Sequence, residues 1–230
     1  MAATSKNRGP VGGRGPWPDL IESRANEAII EVIIGATGAG KTTHLMRELK
    51  AGKPKRLLVW DDKGEFCDDG FVKPVKTITE FAKQVRAAGK GPMKLGLIPY
   101  GKPSDMVKLF DLFCQIAYQA GQCVVITEEM SNVCDGGKCN AAGWRTLITK
   151  GRTRGFRIYA LTQRPALIDK TVLTQATTIR CGVLGSDNDA KPVASVMRGV
   201  PHSDLLALQP LEYIEYIKKG PVINRGKLTF

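Results

Sequence analysis

Ile29-Ile30-Glu31-Val32-Ile33-Ile34 runs directly into Gly35-Ala36-Thr37-Gly38-Ala39-Gly40-Lys41-Thr42-Thr43. The first six residues are a β-branched run of strand length. The next nine satisfy G-x-x-x-x-G-K-[ST] at every fixed position. His44 to Lys50 continues with good helix formers, apolar at Leu45, Met46 and Leu49. Strand, glycine-rich loop and helix together are the context the motif requires. Gly35, Gly38 and Gly40 let the backbone turn its N–H groups inward, where they can cradle a triphosphate. The helix that begins near Lys41 aims the positive end of its dipole at the same phosphates. Lys41 is expected on the β- and γ-phosphates, with the Thr42 hydroxyl on Mg²⁺.

Outward from this stretch, composition sets limits. A chain of 230 residues suits one α/β domain with a substantial core. No apolar run reaches the ~18 residues of a membrane-spanning helix, and the N-terminus lacks the apolar segment of a signal peptide. The net charge of +12 suits a polyanionic partner, nucleic acid first. Residues 1–18 read as a basic arm, with Trp17 anchoring its end, and residues 19–230 as the folded domain. Of the six cysteines, Cys123 and Cys181 read as small core residues. Free thiols are expected, since a nucleotide-hydrolysing protein without an export signal belongs in a reducing compartment.

Further strands are expected over Arg56–Trp60, Pro74–Ile78, Met93–Ile98, Cys123–Thr127, Phe156–Leu161 and Thr177–Val183. Helices are expected over Thr79–Ala88, capped by Thr79, and over Ser104–Ala120, Ala141–Lys150 and Lys191–Arg198. On Ser104–Ala120 the apolar face comprises Met106, Leu109, Phe110, Leu112, Phe113, Ile116 and Ala117, and Gly121 ends the helix. Tyr213–Ile217 alternates as an edge strand does, and Val222–Phe230 is expected to pair with it through a turn at Arg225-Gly226. The apolar run from Cys123 ends in Thr127-Glu128-Glu129. Acids leaving a strand beside the phosphate loop can orient Mg²⁺ and activate water. Gln163, at the exit of Phe156–Leu161, stands where a side-chain amide can sense the γ-phosphate. Cys134 and Cys139 could supply half a metal site, but no second cysteine pair or nearby histidine completes it.

Five features together resemble a known family: the loop at 35–42, Asp61-x-Lys63-Gly64-Glu65, the strand ending at Glu128, Arg152-x-x-Gly155, and Leu161-Thr162-Gln163-Arg164-Pro165. Their order and spacing resemble the DNA-pumping P-loop ATPases of the HerA–FtsK superfamily, over about residues 29 to 217. Small size makes the chain most similar to genome-packaging ATPases of membrane-containing and double-jelly-roll viruses. The resemblance implies a RecA-like (ASCE) P-loop NTPase with a mostly parallel sheet flanked by helices. It also implies ATP and Mg²⁺ as ligands, a homo-oligomeric ring (hexamer favoured), viral DNA as cargo and capsid or portal-vertex proteins as partners. Host cytoplasm and virion are the implied locations. Residue by residue, Arg152 falls where a neighbour-reaching arginine stands, at the mouth of the sheet. Gln163 matches the polar sensor and Glu128 the water-activating base. Thr127 replaces the Mg²⁺-organising Asp of the family. Either Thr127 orients a metal-bound water, or Glu128 is the Mg²⁺ carboxylate and Glu129 the base. Two other functions stay open: a filamentous-phage (Zot-like) morphogenesis ATPase, and a nucleotide-binding structural protein of a capsid vertex with little turnover.

Overall fold

The strand that opens the loop is buried on both faces. The computed structural model describes residues 29–229, so the basic arm and Trp17 lie outside the described residues. In β1 (Ile29–Ile34), Ile30, Val32 and Ile34 pack into one core layer. Ile33 packs into the other, with Leu45, Met46 and Leu49 of α1 (Lys41–Gly52). This two-sided burial is why the strand reads as a continuous apolar run.

The chain then alternates: β2 (Arg56–Trp60), α2 (Glu65–Asp68), β3 (Lys73–Val75), α3 (Ile78–Ala88), β4 (Met93–Leu97), α4 (Pro103–Ala120), β5 (Val124–Thr127), α5 (Ala142–Lys150) and β6 (Arg157–Thr162). It continues with α6 (Lys170–Gln175), β7 (Thr178–Cys181), α7 (Asp187–Val196), α8 (His202–Leu206), β8 (Glu212–Ile217) and β9 (Val222–Lys227). All nine strands join one sheet, in the order β3-β4-β2-β5-β6-β1-β7-β8-β9. The pairings from β3 to β7 are all parallel, and β8 and β9 add antiparallel. Strand β1 therefore lies between β6 and β7. The exits of β1, β2, β5 and β6 share one edge, where ligands bind in open α/β sheets. Cys123 and Cys181 are fully buried in the core.

Several boundaries differ from those expected. Thr77, not Thr79, caps α3: its side chain accepts from the Glu80 N–H at 3.2 Å, and Ile78 is already helical. On α4, Leu112 is 45% exposed, because it sits about 200° around the helix from buried Phe110. Helix α7 starts four residues before Lys191, because the Ser186 side chain accepts from the Asp189 N–H and starts the turn there. The strand β8 is interior, and β9 is the edge. The chain turns between Ile217 and Val222; Arg225 and Gly226 lie within β9. Gly226 faces Tyr213 so closely that a Cβ would come 2.6 Å from the Tyr213 hydroxyl, which excludes a side chain there without calling for a turn.

Candidate active site

The phosphate loop is tied down on both sides. The Gly35 N–H donates to the Thr162 carbonyl of β6 at 3.2 Å, and the Ala36 N–H donates to the Val183 carbonyl after β7 at 2.7 Å. Gly38 and Gly40 have φ of 77° and 79°, which favours glycine. A Cβ on Gly40 would also lie 2.6 Å from the Leu228 side chain. Gly40 leads into α1 with no side-chain cap and no acid in the first turn. The N–H groups there meet no competing carboxylate, which suits an anion. Thr42 and Thr43 occupy that first turn. The Lys41 ammonium donates to the carbonyls of Gly35 at 2.7 Å and Ala36 at 3.1 Å. Burial lowers its pKa, and the Glu129 charge works against that shift.

The acids arrive from β5. The Glu128 N–H donates to the Trp60 carbonyl at 3.0 Å, which holds the strand exit against β2. The Glu128 carboxylate accepts from the Lys63 backbone N–H at 3.0 Å. Burial raises its pKa to about 7; the Lys63 N–H opposes this, and Glu65 and Asp61 add to it. Glu129 takes a left-handed φ of 47°, which turns the chain sharply. Its carboxylate accepts from the Gln163 N–H at 3.1 Å and the Ser131 hydroxyl at 2.7 Å, and the Lys63 ammonium lies 3.6 Å away. The Gln163 side-chain oxygen accepts from the Thr37 hydroxyl at 2.8 Å. The loop, Gln163 and the acids are thus one connected set.

Thr127 and the turn that carries Arg152 do not meet the loop. The Thr127 side chain is fully buried and donates to the Tyr159 carbonyl of β6 at 3.3 Å, so its hydroxyl points at the neighbouring strand and not at the loop. Arg152 belongs to a 3-10 turn, Gly151–Arg154, that precedes β6. Because β6 runs parallel to β1, with Arg157 opposite Ile29 and Thr162 opposite Ile34, this turn is at the far end of the sheet from the phosphate loop. The nearby Arg154 is engaged locally: it donates to the Gln119 carbonyl at 3.2 Å and lies over the Tyr118 ring. Among the described residues, no group of three or more Cys, His, Asp or Glu could hold a metal, Cys134 and Cys139 included.

Sequence reasoning did not assign Lys63 to the site, although it stands in a stretch that carried the resemblance. Asp61 explains how Lys63 is placed. Its buried carboxylate accepts from the N–H groups of Phe66 at 3.3 Å and Cys67 at 2.8 Å, capping α2 and fixing the loop that delivers Lys63. Asp189 was missed too, since only the fold brings it to the loop after β6. It pairs with Arg164 at 3.3 Å and accepts from the Ala166 N–H at 3.2 Å, anchoring the loop after β6 to α7. On the other flank of β1, a shallow cleft open to solvent is lined by Gly40, Lys41, Arg180, Tyr213 and Leu228. The Arg180 guanidinium covers the Tyr213 ring at 3.3 Å from its centroid.

Several solved structures share this fold. The genome-packaging NTPase B204 of Sulfolobus turreted icosahedral virus 2, in complex with ATPγS, superposes with a TM-score of 0.69 at 15% identity, over 88% of this chain and 98% of that one. The bacterial conjugative coupling protein TrwB, lacking 70 N-terminal residues, gives 0.64 at 12% identity over 90% and 86%. VirB4 of Thermoanaerobacter pseudethanolicus gives 0.60 at 11% identity over 93% of each chain. No protein-family model matches the chain. In sequence, it is 32% identical over 196 residues to protein P9 of Pseudoalteromonas phage PM2, covering 83% of this chain and 82% of that protein. A P-loop NTPase in fold, the chain belongs to the family of phage PM2 protein P9.

Proposed function

We propose that the chain is an ATP-driven motor that moves viral DNA into a preformed capsid. One observation carries the hydrolytic part: Glu128, Glu129, Lys63 and Gln163 converge beside the phosphate loop. A triphosphate in that loop directs its γ-phosphate toward β5 and β6. Its nucleoside then runs out over the shallow cleft on the β7 flank. Glu128 is the base. A carboxyl with a pKa of about 7 accepts a proton from water more readily than an ordinary carboxylate and is still largely ionised above neutrality. Gln163 positions the attacking water, and Lys41 leaves the loop carbonyls for the phosphates. A hydroxyl and carboxylates are hard oxygen donors that fit Mg²⁺, with Thr42 holding the ion and Glu128 or Glu129 holding its water. Bound there, Mg²⁺ neutralises charge on the phosphate oxygens.

DNA as cargo is supported by the +12 charge and by the solved structures whose fold the chain shares, B204 among them. Phosphate release with and without duplex DNA is the test. A motor hydrolyses ATP slowly alone and several-fold faster with DNA, and the stimulation fades steeply with salt. Turnover indifferent to DNA at low salt would leave an ATPase but remove the motor.

A further inference from the structure

The hairpin between the acid-bearing strand and α5 carries chemistry that the nucleotide site does not use. Asp135 and Lys138 exchange two backbone hydrogen bonds: the Asp135 N–H donates to the Lys138 carbonyl at 2.8 Å, and the Lys138 N–H to the Asp135 carbonyl at 2.9 Å. Gly136 and Gly137 between them have φ of 53° and 85°. Two left-handed residues make the tight turn whose twist suits a hairpin. Cys134 and Cys139 are the next pair outward. Bonded and non-bonded pairs alternate along an antiparallel ladder, so these two face each other as a non-bonded pair, with Cα atoms ~4.5 Å apart. A disulfide spans Cα separations of about 4.4–6.8 Å. The two thiols are close enough to shift each other's ionisation, and the Cys139 thiol donates to the Val133 carbonyl at 3.5 Å.

We propose that Cys134 and Cys139 are a modification site, forming a reversible intramolecular disulfide with a small peroxide as oxidant. Cys139 acts first, because the neighbouring Cys134 thiol lowers its pKa, and Cys134 resolves. The Cys139 sulfur attacks a peroxide oxygen, the O–O bond breaks, and one water leaves. Cys134 then attacks the sulfenic sulfur, the S–O bond breaks, and a second water leaves. Two thiols and one hydrogen peroxide give one disulfide and two waters. Cys139 is itself buried, so peroxide reaches the pair past half-buried Cys134; the remaining cysteines are disfavoured by their thiol pKa values. Cys114, Cys123 and Cys181 are fully buried, and burial raises their pKa values. Burial likewise lifts the Cys67 thiol to about 12. The bond needs no rearrangement of the fold. The hairpin is already anchored on the segment after Gln163: the Gly137 N–H donates to the Leu167 carbonyl at 3.3 Å, and the Lys170 N–H to the Gly137 carbonyl at 3.1 Å.

The experiment treats the full chain with a small molar excess of hydrogen peroxide, alkylates the remaining thiols and weighs the protein before and after dithiothreitol. The expected product has two fewer alkylated thiols than the untreated chain. Trypsin cleavage after Lys138 leaves two peptides held together until dithiothreitol parts them. The Cys134→Ser variant forms no such pair, and its Cys139 advances to higher oxygen adducts. Six alkylated thiols in the treated parent, or a disulfide that includes any other cysteine, overturns the assignment. So does a mixture in which Cys134 and Cys139 oxidise no faster than Cys67. These readouts come from the parent chain without nucleotide, so they stand whatever becomes of the motor.

Discussion

In the proposed mechanism, Glu128 is the residue on which chemistry and stability both depend. Its carboxyl titrates at about 7 against an ordinary 4.5. Hydrolysis by the parent should therefore rise as pH passes through about 7 and level off above it, in a rate profile taken under saturating ATP. The effect on stability has the opposite sign. The folded protein holds this proton more tightly than the unfolded chain does. The group's contribution is complete below about 4.5 and is lost as pH rises through about 7. Glu128→Gln keeps an acceptor for the Lys63 N–H, so above neutrality it should unfold about 1–2 kcal/mol harder than the parent, with the two converging near pH 4. The same variant should bind ATP and not hydrolyse it, while Glu129→Gln retains much of its turnover. The reverse pattern moves the base to Glu129. At this scale position alone was readable: Lys41 and Gln163 both stand at the phosphate loop, and their roles belong to the proposal. Thr127 shows the limit of that. Position at a strand exit does not say which way a hydroxyl turns, and this one bonds the adjacent strand.

Elements were legible in proportion to their apolar periodicity. Strand β2 runs from Arg56 to Trp60 as expected, with every residue buried, and α4 differs from expectation by one residue at its start. Helices α2, α6 and α8, of four, six and five residues, were not expected, because so short a turn carries no repeating face. Their signals are caps: Asp61 for α2 and Asp169, whose side chain accepts from the Thr171 N–H, for α6. The α2 cap has a consequence for the site. Asp61→Ala leaves two buried N–H groups without their acceptor and should cost about 1–3 kcal/mol in denaturant unfolding. Because the same loop delivers Lys63 to both acids, turnover should fall by more than ATP affinity. Equal losses in both would mean that Lys63 does not depend on this turn.

At the scale of the molecule, the far-end placement of Arg152 decides how it can act. Strand β6 is six residues long, so ~20 Å of sheet separates that turn from the phosphate loop of its own chain. If Arg152 serves catalysis, it serves another copy. Arg152→Ala should bind ATP and hydrolyse it ~10³–10⁵-fold more slowly, as loss of an arginine finger does. Lys41→Ala should be dead through its own loop. Mixed together, the two should regain activity, because an intact loop then meets an intact arginine. Co-assembly without recovery, read by phosphate release, would remove the shared site.

The seven parallel strands give the molecule a front and a back: the loops that meet nucleotide all leave one edge, and Arg152 lies at the other. A contact joining the back of one copy to the front of the next uses two different surfaces and has a direction. Repeating it closes a circle or climbs a screw, depending only on the angle turned at each step. The number of copies is then a property of that angle, which no residue of the nucleotide site determines. Substitutions at the rim could change the count while leaving each site's chemistry intact.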